Sequence, residues 1–194
     1  MNNPIRAWIQ RRFIARWMLA TGASRGGRAL ELGCGRGVGI EIALASFGCS
    51  RVHACDLDPR MLRTARRRVG RRPDVFLLAA DAKHLPVSDA AYDAIFDFGA
   101  VHVIADWELA IAEVARVLAP GGRYYFELVT NPVLRLAYPL TLEGFRRARY
   151  PEAGAFLSSL NRCGLEVVVP PRRPRWLPWT QLAGDLVGSA VRRM

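Results

Sequence analysis

Residues 29–39 read ALELGCGRGVG, with glycine at 33, 35, 37 and 39 directly after a short apolar run that carries Glu31. Glycine is costly to order, so this spacing is expected where the backbone must come closer to a neighbour than side chains allow. Proton transfer near neutral pH would fall to His53, His84 and His102. Cys34, Cys49, Cys55 and Cys163 form no C-x-x-C pair and have no histidine at ligand spacing, which argues against a metal site. A disulfide framework is not expected in a cytosolic chain of this size, so the thiols read as buried or incidental.

The elements that position these groups alternate strictly from Ala29 onward. ALEL, RVHACDL, VFLLAAD, YDAIFDFG and RYYFELV read as strands. Between them lie helical stretches: VGIEIALASFG, stopped by Gly48; DPRMLRTARRRVG, with Asp58 as N-cap and Pro59 at the first position; and DWELAIAEVARVLAPGG, ended by PGG. Strand–helix alternation predicts an α/β fold, a mostly parallel doubly wound sheet with helices on both faces. The rhythm breaks at 130–150, a substantial insertion. It resumes with a helix in PEAGAFLSSLNRCG and a late strand in LEVVVP, then passes into a Pro- and Arg-rich tail that ends in a weakly amphipathic stretch. The length of 194 residues fits one domain. That domain divides into a basic helix and linker (1–27), a core (28–128) and an insertion with late helix and strands (129–194).

In such a sheet, a glycine loop after the first strand lies at the carboxyl edge, where ligands bind. A dinucleotide fingerprint, G-x-G-x-x-G, fails here: counted from Gly33 it ends on Val38, and from Gly35 on Ile40. That counts against a nicotinamide-dependent oxidoreductase. The pattern present, an acid followed by glycines at 33, 35 and 37, resembles the first motif of class I S-adenosylmethionine-dependent methyltransferases. The resemblance continues in order through HACDLDPRML, LLAADAKHLPVSDAAYDAIF, DFGAVHVIADW and EVARVLAPGGRYYFE, covering roughly residues 28–128. It implies a Rossmann-like fold and S-adenosyl-L-methionine as methyl donor, with S-adenosyl-L-homocysteine as product. It also implies that Glu31 orients the loop Gly33, Cys34, Gly35 and Gly37 or meets the amino group through water. Asp56, beside Leu57, would accept the ribose hydroxyls, and Asp81 and Ala82 would meet adenine. Asp97 and Phe98 would open the region facing the methionine part and the substrate.

Methyl transfer from a sulfonium is an in-line displacement that positioning and desolvation can carry, so a general base is optional. His102, after the fourth strand, is the candidate base. Tyr125 and Glu127 fall near the cleft mouth. The acceptor would meet the N-terminal helix, the 130–150 insertion and the tail. These carry Trp8, Phe13, Trp17, Tyr138, Phe145, Trp176 and Trp179 among arginines, which suits an apolar acceptor with an anionic or polar head, lipid- or isoprenoid-like; a soluble metabolite is the other expected acceptor. The family's DNA and glutamine amide methylating members carry an NPPY-like tetrapeptide where DFGA stands here.

The net charge is +11, and Lys83 is the only lysine. An anionic partner or a coding bias accounts equally for that excess. Arginine clusters in the central chain are not interleaved with aromatics, which argues against a nucleic-acid groove. Residues 4–20 predict a basic helix with an apolar stripe at Ile5, Ile9, Phe13 and Trp17. It is expected either to touch an anionic membrane surface or to pack on the domain and cover a ligand. With no long apolar run and no signal-type N-terminus, the expected location is cytoplasmic, with peripheral membrane contact through 4–20 as an option. A non-catalytic cofactor-binding relative is the alternative to an enzyme.

Overall fold

The computed structural model describes residues 4–22, 26–129, 151–172 and 185–194. The insertion at 130–150 and the tail residues 173–184, with Trp176 and Trp179, lie outside them. Seven strands form one sheet in the order β3-β2-β1-β4-β5-β7-β6. They are β1 (Arg28–Leu32), β2 (Arg51–Asp56), β3 (Val75–Ala79), β4 (Tyr92–Asp97), β5 (Leu118–Val129), β6 (Leu165–Arg172) and β7 (Asp185–Arg192). The strands β1 to β5 pair in parallel; β7 runs antiparallel between β5 and β6. The expected α/β doubly wound sheet is therefore present.

Helices cover both faces. The chain enters through α1 (Pro4–Ile9), a π-helical turn (Gln10–Ile14) and α2 (Ala15–Ala20), which continue one another. Then follow α3 (Val38–Ala45), α4 (Pro59–Val69), α5 (Trp107–Val117) and α6 (Ala153–Arg162). Asp58 caps α4 as expected, accepting from the Arg60 N–H at 2.8 Å, with Pro59 in the first turn. The helix α5 stops at Val117, earlier than PGG, and LAPGG enters β5 through a register shift against β4.

Two apolar layers sandwich the sheet. On one face Leu30, Ile95, Tyr124 and Phe126 pack against Trp107, Ile111 and Val114 of α5 and Phe156 and Leu160 of α6. On the other, Ala94, Phe96 and Tyr125 meet Ile40 of α3, Phe47, and Ala7, Ile14, Ala15 and Met18 of the N-terminal helix. That helix is present where expected, but its buried line runs through Ala7, Gln10, Ile14 and Met18. The expected stripe is displaced: Ile9, Phe13 and Trp17 are only half-buried. The rings of Phe47, Phe96 and Tyr125 already fill this face, so the small Ala7 and Ala15 and the unbranched Met18 fit closest to it. The tail's amphipathic stretch is β7, a correction to the sequence expectation. Both of its neighbours are strands, and Val187, Gly188, Ser189 and Ala190 are all buried, so no alternation marks it.

Candidate active site

The chain leaves β1 toward β2 and β3 on one side and returns to β4 and β5 on the other, so the sheet's order reverses between β1 and β4. The crevice above their carboxyl ends is where such sheets bind ligands. The glycine loop forms one wall of it. Gly33 holds φ +60°, and a Cβ there would collide with the Ala100 methyl group after β4. Gly37 holds φ +79° and begins α3; a Cβ would meet the Ala65 Cβ of α4 at 3.1 Å. At Gly39 it would strike the Glu31 carboxyl and the Phe98 ring. The glycines thus let the chain's own elements close around the crevice, beyond any approach to a ligand.

Backbone groups fix the loop. Cys34 N–H donates to the Cys55 carbonyl, and Gly37 N–H to the Cys34 carbonyl, both at 2.8 Å. Gly35 N–H donates to Asp56 Oδ2 at 2.8 Å, while Asp58 N–H donates to Asp56 Oδ1 at 2.9 Å. Asp56 is therefore held by both oxygens at the end of β2, each with a further lone pair to offer. The next side chain, Leu57, is 73% exposed, an apolar platform beside the carboxylate. Glu31 is buried under α3. Burial first, and the Asp56 charge second, push its carboxyl well above the usual range, while hydrogen bonds from the Ile40 and Gly39 backbone pull the other way. Its Oε2 is buried and, among the described residues, has no hydrogen-bond partner. Burial also keeps the Cys34 thiol protonated, so it serves as a small side chain and no nucleophile.

Beyond β3, Ala80 N–H donates to the Asp56 carbonyl at 3.3 Å, which brings Asp81 and Ala82 to the same edge. Asp81 turns its own loop by accepting from Lys83 N–H at 2.9 Å. The end of β4 differs from the sequence expectation. Asp97 is buried and points into the protein, accepting from Ala100 N–H at 2.6 Å, Val101 N–H at 3.3 Å and Tyr124 Oη–H at 3.1 Å. Burial raises it to about 6 against those bonds. Its carboxylate braces the turn that brings Ala100 onto Gly33. Phe98 is half-buried and lies parallel to Phe96, with ring centroids 6.1 Å apart.

His102 is buried in the 3-10 turn Val101–Val103. Burial first, then the Arg6 charge, lower it to about 3, opposed by a bond with the Glu127 backbone. It is neutral at physiological pH, and a group this weakly basic is a poor proton acceptor. His53 bonds the Tyr92 hydroxyl at 2.8 Å, away from the crevice, and His84 is exposed. In the structure Arg123, Tyr125 and Glu127 share one face and all hold the N-terminal segment. Arg123 Nη1 donates to the Thr21 carbonyl at 2.6 Å, Tyr125 Oη to the Gly22 carbonyl at 3.0 Å, and the Glu127 carboxylate pairs with Arg6 at 2.7 Å. The first turn of α1 therefore sits beside Gly99 and His102 at the crevice. Alternating polar residues on a strand otherwise buried, R-Y-Y-F-E, were the signal for this ladder.

Acceptors for hydroxyls at Asp56, an exposed apolar platform at Leu57, and the orphaned buried oxygen of Glu31 near the loop suit a cofactor that joins a nucleoside to an amino acid. Among the described residues, no three His, Cys, Asp or Glu side chains gather as a metal site.

Comparison with known proteins agrees. A family model described as a methyltransferase domain matches residues 30–126. A demethylmenaquinone methyltransferase of Paenarthrobacter aurescens (strain TC1) is 36% identical over 124 residues, 63% of this chain and 47% of that protein. A fatty-acid O-methyltransferase of Mycolicibacterium smegmatis is 33% identical over 101 residues, 52% of this chain and 36% of that protein. The chain thus spans about half of the first relative's length and about a third of the second's. The crystal structure of the N-methyltransferase NodS from Bradyrhizobium japonicum WM9 shares the fold, with a TM-score of 0.71 over the whole of both chains at 19% identity. The matched segment runs from within β1 into β5 and so contains the glycine loop, Asp56, Asp81 and the β4 turn: the chain belongs to the methyltransferase domain family.

Proposed function

We propose that this protein transfers a methyl group from S-adenosylmethionine to a small, largely apolar acceptor of the lipid or isoprenoid kind. The observation that carries the activity is the crevice at the β1–β4 reversal, with Asp56 anchored by Gly35 and Asp58 and with Glu31 buried beneath the loop. The acceptor class is supported by the names of the relatives, which act on a quinone precursor and a fatty acid. A soluble metabolite is the other acceptor within the same activity.

The bound cofactor supplies a methyl group already activated by its sulfonium. The chain's part is to hold and to dehydrate. Asp56 is assigned to the ribose hydroxyls, Leu57 to one face of the adenine, and Asp81 with the Ala82 N–H to the adenine edge. Glu31 braces the Gly33–Gly37 loop, and its raised carboxyl would be drawn back toward ionisation by an ammonium group nearby. Phe98 and the β4 turn, set by Asp97, would line the methyl-bearing end. Arg6 and Glu127 fasten the first turn of α1 over that end, which excludes water and strengthens each polar contact inside. His102, buried and neutral, is assigned no part in taking a proton from the acceptor.

Ala7, Ile14, Ala15 and Met18 of the N-terminal helix pack on the domain, which favours the covering role for residues 4–20. Trp8, 56% exposed beside Phe13, and the half-buried Ile9, Phe13 and Trp17 among exposed arginines are the surface available for peripheral membrane contact. Among the described residues no helix is long and apolar enough to cross a membrane. The test is to incubate the protein with methyl-labelled S-adenosylmethionine and a bacterial extract that includes its membranes, then partition the products. Label in the organic phase supports the lipid-like acceptor; label confined to water-soluble small molecules replaces it with a soluble one. No protein-dependent label in either phase counts against the enzyme reading, leaving a cofactor-binding relative.

A further inference from the structure

The far end of the strands carries a second feature that the methyltransferase reading does not use. Seven arginines and no acid lie between Pro59 and Pro73. The carboxyl end of α4 and the start of β3 border a shallow, solvent-open depression of about 740 Å³, lined by Arg66, Arg71, Arg72, Pro73, Val75 and Phe76. Phe76 is 43% exposed. The Arg51 guanidinium lies 5.5 Å from its ring centroid, and the His53 ring meets it edge-on at 5.1 Å. Asp74 is paired with Arg72 at 2.7 Å, whereas Arg63 and Arg67 on α4 and Arg71 in the loop after it are exposed and extend the positive face. In the sequence Arg51, the α4 arginines and Phe76 are separate; the β2–β3 pairing, which sets His53 opposite Phe76, brings them together.

We propose that this face binds single-stranded nucleic acid, with phosphates held by Arg66, Arg71 and the α4 arginines and a base stacked on Phe76. Guanidinium groups grip phosphate in bidentate fashion, and an accessible ring flanked by them is the pairing that single strands use. A bilayer fits less well. Phe76 sits in a shallow basic depression with no second large exposed apolar side chain among its described lining, so there is little apolar surface to insert into lipid. The site would tether the protein and leave the cofactor crevice, at the opposite strand ends, open.

The test is fluorescence anisotropy of the full chain with a labelled single-stranded RNA oligonucleotide across a salt series. Arg66→Glu with Arg71→Glu is expected to weaken binding by more than about tenfold and to flatten the slope of log Kd against log salt by about one to two. Phe76→Ala should weaken binding several-fold at every salt concentration without changing the slope. Arg71→Glu alone, in an exposed loop, gives a smaller loss in the same direction and guards against misfolding of the double variant. Arg12→Glu with Arg16→Glu, the same charge change on the N-terminal helix, should leave most of the affinity. Equal losses from the two double variants would overturn the proposal in favour of diffuse charge. Binding to anionic vesicles with none to the oligonucleotide, or duplex bound as tightly as single strand, would also overturn it.

Discussion

Asp56 carries more than one task. Its two oxygens hold Gly35 and Asp58, so under the proposed ribose assignment Asp56→Ala removes a ligand acceptor and loosens the loop together. Isothermal titration with S-adenosylhomocysteine is expected to show affinity lowered by about 10- to 100-fold, the cost of a hydrogen-bonded carboxylate. Asp56→Asn, which keeps one acceptor, should lose less. His102 makes a prediction about pH. Its folded value near 3 lies below the ordinary 6.5, so the unfolded chain binds the proton first. The stability it contributes is complete above about 6.5 and is lost as pH falls toward 3. Asp97, raised to about 6 from 3.8, works in the opposite sense, its contribution present below about 3.8 and lost as pH rises through 6. In His102→Gln, the fall in melting temperature between pH 6.5 and pH 4 should be shallower than in the parent. The same variant should keep substantial methyl transfer at pH 7.5, where the imidazole is already neutral; complete loss of turnover with normal cofactor affinity would return His102 to the role of base.

At the scale of elements, the N-terminal helix is held by a ladder that one strand face supplies. Arg6–Glu127 closes its first turn, Arg11 pairs with Glu41 of α3 midway, and Arg123 and Tyr125 hold its end. The Glu127 side chain is fully buried, so removing its cation costs more than a surface pair would. Arg6→Ala should therefore free the first turns. Limited trypsin digestion followed by mass spectrometry is expected to cut at Arg11, Arg12 and Arg16 several times faster than in the parent, with the sheet core intact. Protection should return when S-adenosylhomocysteine is added if the turn covers the cofactor. The π-helical turn at Gln10–Ile14 falls inside this segment, between its two clamped ends. A separate element-scale consequence concerns β7. A Cβ at Gly188 would come within 2.7 Å of the Phe126 ring and 2.9 Å of the Val169 carbonyl, so Gly188→Val should destabilise by about 2–4 kcal/mol in urea unfolding. The parallel core was legible because strands and helices announced themselves through runs, caps and stops such as Asp58-Pro59. The strand β7 was not, because burial on both sides erases alternation and its glycine answers to Phe126, far away in sequence.

For the whole molecule, the cofactor crevice is built by β1, β2 and β4 together, so a ligand bound there stabilises the entire sheet. S-Adenosylhomocysteine at 100 times its Kd should add about 2.7 kcal/mol and raise the melting temperature by roughly 5–10 °C; a ligand-independent melting curve would contradict the assignment of the crevice. The class of the molecule is written along the chain. Glycine spacing, an acid before the loop, and Asp56 and Asp81 at strand ends are local signals, because the strand–loop–helix unit that uses them is contiguous. The α/β alternation and the helix at 4–20 are legible there for the same reason. Which way side chains face once distant segments meet depends on the folded packing. That packing turned Asp97 inward onto Tyr124, made His102 neutral beneath Arg6, and moved the buried line of the first helix by one residue. It also gathered Arg66, Arg71 and Arg72 around Phe76 and set Arg51 over the same ring, which makes one basic surface. Burial and pairing depend on neighbours far along the chain, and these set charge state, packing and surface chemistry.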